Sequence, residues 1–359
     1  MIDLRTTIAG LAWRTPLAIS AGPLTRNTQE ILLATEQRGL GAIITKTIYY
    51  NDALTPKPTM VKVDNNLVNY DWSGTKIDTW EEYFRQLDKQ AVPIIASMFD
   101  ASPERMAEMA RRLEAVGAQA IEVPLDAGLP LAELVKRVEV LKKTVKMPLI
   151  CKLGPSLPDT RKYAKALEEA GADAFAGINT IGPVLVLDKD GYPYLGNSFG
   201  HGYLSGPAIK GIALRTIAEI ASAVKVPVIG GGGIMSARDI LDYVMVGASG
   251  VFVHTAVIFK GLKVLDKLVD ELVDLMKEKG LESLDQIRGK SQEYLVDGTR
   301  METKVPIINE MLCNGCGLCV RSCIYHSLFL EGKKLRQDKD KCFGCGLCVS
   351  ICPKEALSL

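Results

Sequence analysis

Cysteine is nearly absent from the first three hundred residues of this 359-residue chain, where Cys151 is the only one. A chain of this length with 47% hydrophobic residues can bury a large core, so it needs no disulfide bonds to fold. Cys151 stands inside an apolar segment, which is typical of a small buried side chain. The scarcity argues against a disulfide-stabilised scaffold in this part of the chain.

Long hydrophobic runs and an excess of charge of either sign are also missing. No apolar run approaches eighteen residues, and the opening "MIDLRTTIAG" lacks the regions of a secretory signal, so we expect a soluble cytoplasmic protein without a membrane span. In that reducing compartment, clustered thiols are more often metal ligands than disulfides. The 43 Lys and Arg balance the 42 Asp and Glu, which argues against nucleic-acid partners and favours small molecules and proteins.

A G-x-G-x-x-G turn after the first strand is missing too, which argues against an open doubly wound sheet, the alternative fold. Instead, the chain alternates apolar runs with amphipathic stretches from residue 17. Eight such repeats over about 250 residues predict a closed (β/α)₈ barrel over residues 1–290, with a small hairpin near residues 3–15. The runs are "PLAISAG", "GAIITKT", "VPIIASM", "AQAIEVP", "MPLICKL", "ADAFAGIN", "VPVIGGG" and "SGVFVHT".

Two connections are longer than such units usually need. They run from about Thr47 to Ile77 and from Thr180 to Gly206, and both follow predicted strands. In a barrel, these loops lie over the C-terminal mouth, where active sites are built. The glycines of "PVIGGGGIMSARD" and the segment "GVFVHTAV" follow the seventh strand and end the eighth, the usual phosphate site of these barrels. A phosphate-bearing cofactor is therefore expected.

The remaining eight cysteines follow a connector (residues 291–308) and lie in residues 309–359 as two C-x2-C-x2-C-x3-C runs. This spacing predicts a bacterial-ferredoxin-like α+β domain with two [4Fe-4S] clusters, in which the fourth cysteine of each run binds the other cluster. Structural zinc, the alternative, is usually bound by two C-x-x-C pairs separated by a longer gap. The predicted ligand sets are Cys313, Cys316, Cys319 and Cys352, and Cys342, Cys345, Cys348 and Cys323.

The segments "PLAISAG", "GAIITKT", "ICKLGP", "GINT", "LSGPAIKGIALR", "IGGGGI" and "GASGVFVHTA" resemble, in order and spacing, the FMN barrel of the dihydroorotate dehydrogenases. The tail is similar to the C-terminal part of dihydropyrimidine dehydrogenase. The resemblance implies that Lys152 lies near flavin N1 and O2, where an ammonium stabilises the negative charge of reduced FMN. The other implied FMN residues are Ala21, Gly22, Lys46, Thr47, Asn179, Thr180, Ser205, Gly206, Gly232, Gly233, His254, Thr255 and Ala256.

The chain departs from the family in the catalytic loop after strand four, which reads "IEVPLDAGLP". Pro124 occupies the position of an asparagine, and Ala127 that of the usual proton-transferring cysteine. Because alanine cannot move a proton, another group must serve as acid or base. We expect Asp126, from the same loop, or His201 to do so, with Tyr70 and Asp71 also within reach. We expect Lys152 to take part in catalysis as well.

The amide side chains that bind substrate in the family are only partly preserved in this chain. Asn69 and Asn179 retain two amide positions, whereas Leu129 replaces a later asparagine. Tyr70 and Trp72 are aromatic side chains that can stack on a flat substrate. We therefore expect a flat or cyclic substrate other than dihydroorotate.

The leading interpretation is an FMN-dependent iron–sulfur oxidoreductase that exchanges a hydride with a CH–CH or CH–NH group and passes electrons through two clusters. The missing nicotinamide-binding fold predicts a ferredoxin or an NAD(P)H-linked flavoprotein subunit as partner, in a homo- or hetero-oligomer. One alternative is an electron-transfer subunit without substrate chemistry of its own. Another, an enzyme that modifies tRNA, is disfavoured because no basic stripe is present.

Overall fold

Eight parallel strands close into a barrel in the computed structural model, which confirms the predicted fold class. The structure describes residues 2–87, 90–125, 128–295 and 304–359. In chain order the strands of the first unit, residues 1–295, are β1 (Thr6–Ile8), β2 (Leu11–Trp13), β3 (Leu17–Ile19), β4 (Ala42–Ile44), β5 (Met60–Val63), β6 (Asn66–Asn69), β7 (Ile94–Ser97), β8 (Ala120–Pro124), β9 (Leu149–Leu153), β10 (Ala174–Gly177), β11 (Ile181–Leu185), β12 (His201–Ser205), β13 (Val228–Gly231) and β14 (Gly250–Val253). The barrel order is β3, β4, β7, β8, β9, β10, β13 and β14, which pairs again with β3.

Amphipathic helices follow the barrel strands. They are α1 (Thr28–Thr35), α2 (Ile77–Gln86), α3 (Pro103–Ala115), α4 (Leu131–Thr144), α5 (Thr160–Glu169), α6 (Lys210–Ala223), α7 (Ala237–Met245), α8 (Thr255–Lys260) and α9 (Val264–Glu278). Polar residues start several of them. Ser236 begins α7 with a capping box, in which its hydroxyl accepts from the Asp239 amide and the Asp239 carboxylate accepts from the Ser236 amide. None of the helices in the described part of the chain has the length and apolar character of a membrane span.

The barrel interior is filled mostly by small and branched side chains. Residues alternate along each strand, so Ala120 and Glu122 of β8 point inward whereas Ile121 and Val123 face the helices. The hairpin of β1 and β2 is present, and its Ile8 and Trp13 belong to the interior cluster. An added Cβ on Gly250, the first residue of β14, would lie 2.6 Å from Ile8 Cδ1. The hairpin therefore closes the N-terminal end of the barrel.

The two long connections form an antiparallel sheet, here called the lid sheet, with the order β11, β12, β6 and β5. Strands β5 and β6 come from the first connection, and β11 and β12 come from the second. Tyr203 of β12 pairs with Asn69 of β6, and Ser205 pairs with Leu67. The sheet orders residues that the sequence alone assigned to irregular loops.

The second unit comprises residues 296–359. Its elements are β15 (Ile307–Ile308), α10 (Leu318–Arg321), β16 (Leu328–Glu331), β17 (Lys334–Gln337), α11 (Leu347–Ser350) and β18 (Leu357–Ser358). Strand β15 pairs with β18, and β16 pairs with β17. Gly317 and Gly346 precede the two short helices at φ of 71° and 75°, a conformation that favours glycine. The arrangement confirms the predicted ferredoxin-like domain.

Candidate active site and cysteine cavities

A cavity lies at the C-terminal ends of the barrel strands, beside the lid sheet. Its wall contains most of the residues that the sequence predicted to bind cofactor or substrate: Ala21, Gly22, Lys46, Thr47, Asn69, Lys152, Asn179, Thr180, Ser205, Gly206, Gly232, Gly233, His254 and Thr255. These residues come from the ends of different strands and from the lid sheet. The barrel thus gathers at one place side chains that are widely separated in sequence.

The floor of the cavity carries an unusual carboxylate. Glu122 of β8 is completely buried, and neither of its side-chain oxygens has a hydrogen-bond partner in the described part of the chain. The Lys152 ammonium from β9 lies 3.8 Å from Glu122 Oε1 and 5.2 Å from the centroid of the Phe252 ring. A buried charge without compensating hydrogen bonds is costly, so such a group points to an additional polar partner.

His254 lies at the end of β14, opposite Gly22. Both of its ring nitrogens are buried and lack partners among the described residues. Burial, together with the positive charges of Lys152 and Lys46, lowers the pKa of His254 to about 4. An added Cβ on Gly22 would collide with the imidazole ring, so only glycine fits there. The neutral imidazole can hydrogen-bond to a bound polar group.

Glycine loops form another part of the wall. Gly206, Gly232 and Gly233 have φ of 104°, 125° and 75°, which favour glycine. An added Cβ on Gly233 would lie 2.8 Å from the carbonyl oxygen of Gly206, so the two loops are in close contact. Ser205 and Thr255 hydroxyls are 2.8 Å apart. Such a glycine-lined, hydroxyl-rich cleft fits a phosphate group. With the buried polar groups of the floor, the wall fits FMN.

Lys46 and Asp71 form a partly buried ion pair within the cavity wall. The Lys46 ammonium donates to Asp71 Oδ2 at 2.9 Å and to the Asp71 carbonyl oxygen at 2.8 Å. Burial alone would raise the pKa of Asp71, but hydrogen bonds from Ser73 and Lys46 and the charge of Lys46 lower it overall. Burial and the Asp71 charge raise the pKa of the neighbouring Tyr49. Tyr49 therefore keeps its proton as a hydrogen-bond donor.

Aromatic side chains of the lid sheet and of the segment after β6 cluster beside the cavity. Trp72 and Tyr203 line it, with ring centroids 6.1 Å apart in an edge-to-face arrangement. Tyr70 stacks on Tyr203, and its ring meets that of His201 edge to face. The cluster offers flat apolar surface at the cavity mouth.

Some of the predicted site residues do not line the cavity. Tyr70 and His201 pack in the aromatic cluster and are not part of the described cavity wall, so their substrate and catalytic roles stay predictions. His201 lies on the same face of β12 as Tyr203, but two residues further from the loop that ends in Gly206. Ala256 is buried in α8 behind the wall. Asp126 and Ala127 lie outside the described residues.

Sequence reasoning missed several wall residues. The sequence pattern places Glu122, Ser97 and Phe252 in apolar strands and Tyr203 in a loop, and all four line the cavity. The inward position of Glu122 could have been predicted, because strand alternation puts it on the same inward face as Ala120. No local sequence pattern indicates the ion pair of Lys46 and Asp71.

The second unit has two further cavities, each lined by four cysteines. Cys313, Cys316, Cys319 and Cys352 line one, and Cys323, Cys342, Cys345 and Cys348 line the other. These are the two sets that the spacing predicts. None of the nine cysteines forms a disulfide.

Backbone amides donate to the fourth cysteine of each run. The Ser327 amide lies 3.4 Å from Cys323 Sγ, and the Ala356 amide lies 3.3 Å from Cys352 Sγ. Hydrogen bonds to cysteine sulfurs stabilise negative charge there and help to set the reduction potential of a cluster. Both cavities therefore fit iron–sulfur clusters.

Comparisons with known proteins identify the families that match the two parts of the chain. The family described as "Dihydroorotate dehydrogenase" matches residues 3–276, and "4Fe-4S dicluster domain" matches residues 312–356. A Pyrococcus furiosus protein is 31% identical over 309 residues, which cover 81% of this chain and 100% of that protein. Relatives from Pyrococcus horikoshii and Methanothermobacter thermautotrophicus are 33% and 32% identical, covering 80% and 81% of this chain and 97% and 99% of their own lengths. All three are described as dihydroorotate dehydrogenase B (NAD(+)), catalytic subunit.

Proposed function

The chain belongs to the dihydroorotate dehydrogenase family, whose members are oxidoreductases acting on CH–CH groups, and from this premise we propose how its own residues serve such a reaction. We propose that the barrel cavity holds FMN beside a small flat substrate, and that two [4Fe-4S] clusters carry electrons to or from a partner. The observation that carries the proposal is the combination, in one chain, of the cavity with buried polar groups lacking partners and the two four-cysteine cavities.

On the cofactor side, Lys152, Glu122 and His254 would contact the flavin, while the Gly206 and Gly232 loops would hold its phosphate. FMN, when bound, exchanges a hydride with the substrate and single electrons with the clusters. The Lys152 ammonium, held inside the barrel, would stabilise negative charge on the reduced ring. Glu122 keeps that ammonium in place, and its own charge limits the stabilisation.

On the substrate side, Trp72 and Tyr203 offer aromatic surface, and Asn69 and Asn179 offer amide groups for ring heteroatoms. Asp126, from the loop after β8, remains the predicted acid or base. Asn69, Tyr203 and Ser205 of the lid sheet line the cavity, and exclusion of water there would favour hydride transfer over side reactions.

The three relatives are named as the catalytic subunit of dihydroorotate dehydrogenase B (NAD(+)). Because the sequence contains no nicotinamide-binding G-x-G-x-x-G turn after the first strand, a flavoprotein subunit or a ferredoxin would complete the electron path.

An anaerobic titration tests this function. Reduced nitrogen heterocycles, beginning with dihydrouracil and dihydroorotate, would be added to the FMN-loaded protein while flavin and cluster absorbance are followed. We expect a heterocycle other than dihydroorotate to bleach the flavin first and the clusters second. A flavin that only a protein partner can reduce would overturn the proposal in favour of an electron-transfer subunit.

A further inference from the structure

Two cations line the active-site cavity in the described part of the chain, Lys46 and Lys152, and each faces a carboxylate of the protein itself. An unpaired ammonium would attract an anionic substrate group. Whether these two lysines are paired within the protein therefore bears directly on which substrates the cavity accepts.

Lys46 is the lysine nearer to the lid. Its side chain is 11% exposed and that of Asp71 is 13% exposed, so solvent screens the pair only partly. Two hydrogen bonds join the Lys46 ammonium to Asp71, one to the carboxylate and one to the main-chain oxygen. The other carboxylate oxygen of Asp71 accepts from the Ser73 amide at 3.2 Å and from the Ser73 hydroxyl.

Lys152 is engaged on the floor. Glu122 lies 3.8 Å away, the Phe252 ring contacts the ammonium, and under the proposed function the flavin would be its third partner. A substrate carboxylate would therefore meet no unpaired ammonium in the described cavity wall. It would instead lie close to the Asp71 carboxylate, and like charges that are partly desolvated repel.

We propose that Asp71 is a specificity-determining residue that occupies Lys46 with an internal carboxylate, so that the cavity selects an uncharged flat ring over a carboxylated one. The inference rests on the proposed function and narrows its substrate class. It also sets this chain apart from the curated relatives, which are named for dihydroorotate, a carboxylated ring. Trp72, adjacent to Asp71, supplies apolar surface to such an uncharged ring.

A pair of ligands that differ in charge but hardly in shape tests the inference. Orotate and its neutral 6-carboxamide would be titrated into the oxidised, FMN-loaded protein, with binding read from the flavin difference spectrum. We expect the carboxamide to bind at least about tenfold more tightly than orotate. The inference would be overturned by equal affinity for the two ligands, by a preference for orotate, or by a failure of both ligands to bind.

Asp71→Asn removes the charge and keeps the shape, leaving Lys46 able to pair with a ligand anion. We expect this variant to bind orotate at least about tenfold more tightly than the wild type, with little change for the carboxamide. Asp64→Asn, at an exposed turn of the same lid sheet, is the matched control and should behave as wild type. An Asp71→Asn variant without gained orotate affinity would overturn the inference. If that variant loses its flavin, the wild-type ligand pair decides alone.

Binding is measured without turnover, so this test and that of the proposed function fail separately. A chain that binds no FMN overturns the proposed function. An FMN-loaded chain that prefers orotate overturns only the role of Asp71.

Discussion

His254→Gln should remove a pH dependence that the wild-type barrel carries. Burial and the neighbouring lysines lower the pKa of His254 from 6.5 to about 4, so the unfolded chain binds a proton more readily than the folded chain between these values. The stability contributed by the neutral ring is complete above about pH 6.5 and is lost as the pH falls towards 4. The linkage predicts a loss of about 2 kcal/mol between about pH 7.5 and 5, and about 3 kcal/mol in total.

Tryptophan fluorescence can isolate this effect in the full-length chain. The three tryptophans, Trp13, Trp72 and Trp80, all belong to the barrel unit, so urea unfolding followed by their emission reports the barrel alone. FMN would be removed first, because a bound flavin changes the surroundings of the imidazole. The free energy of unfolding is then extrapolated to zero urea at each pH.

Glutamine cannot titrate, so the variant should lose about 2 kcal/mol less than the wild type over that pH interval. His201→Gln is the matched control. It retains His254 and should keep the wild-type pH dependence. Wild-type and His254→Gln curves that run parallel within about 0.5 kcal/mol would refute the burial argument.

Three further predictions concern the interior, the floor and the tail. Trp13→Ala should destabilise the barrel by about 3–5 kcal/mol in the same unfolding assay, because this side chain fills the closed end of the barrel; a cost below about 1 kcal/mol would contradict that packing. Glu122→Gln should raise the flavin reduction potential by about 30 mV or more in spectroelectrochemistry, since it removes a negative charge beside Lys152, and an unchanged or lower potential would argue against flavin contact. Cys323→Ser should lower the iron content by about half while FMN is retained, and full iron content would exclude Cys323 as a ligand.

Local patterns predicted the features that depend on local spacing. Each barrel strand is a short apolar run, and each cysteine set follows from steps of three along the chain, with one exchange between runs. The alternation of β9 likewise separates Cys151, which faces the helices, from Lys152, which faces the cavity. Such periodicities survive folding because they arise from the geometry of one strand or one turn.

Features that depend on distant pairing were not predictable in the same way. The lid sheet joins Asn69 to Tyr203, and neither segment has the apolar alternation of a typical strand. The pairing of Lys46 with Asp71 depends on how the first long connection returns over the barrel mouth. Glu122 was overlooked because its neighbours are apolar, although its inward position follows from the strand register.

The cofactor content of the chain, purified without oxygen, tests the central claim most directly. FMN released by acid and iron and zinc measured on the same sample should give about one flavin and about eight irons per chain, with flavin absorbance near about 450 nm. Zinc in place of iron, about four irons, or a colourless protein without flavin would contradict the account.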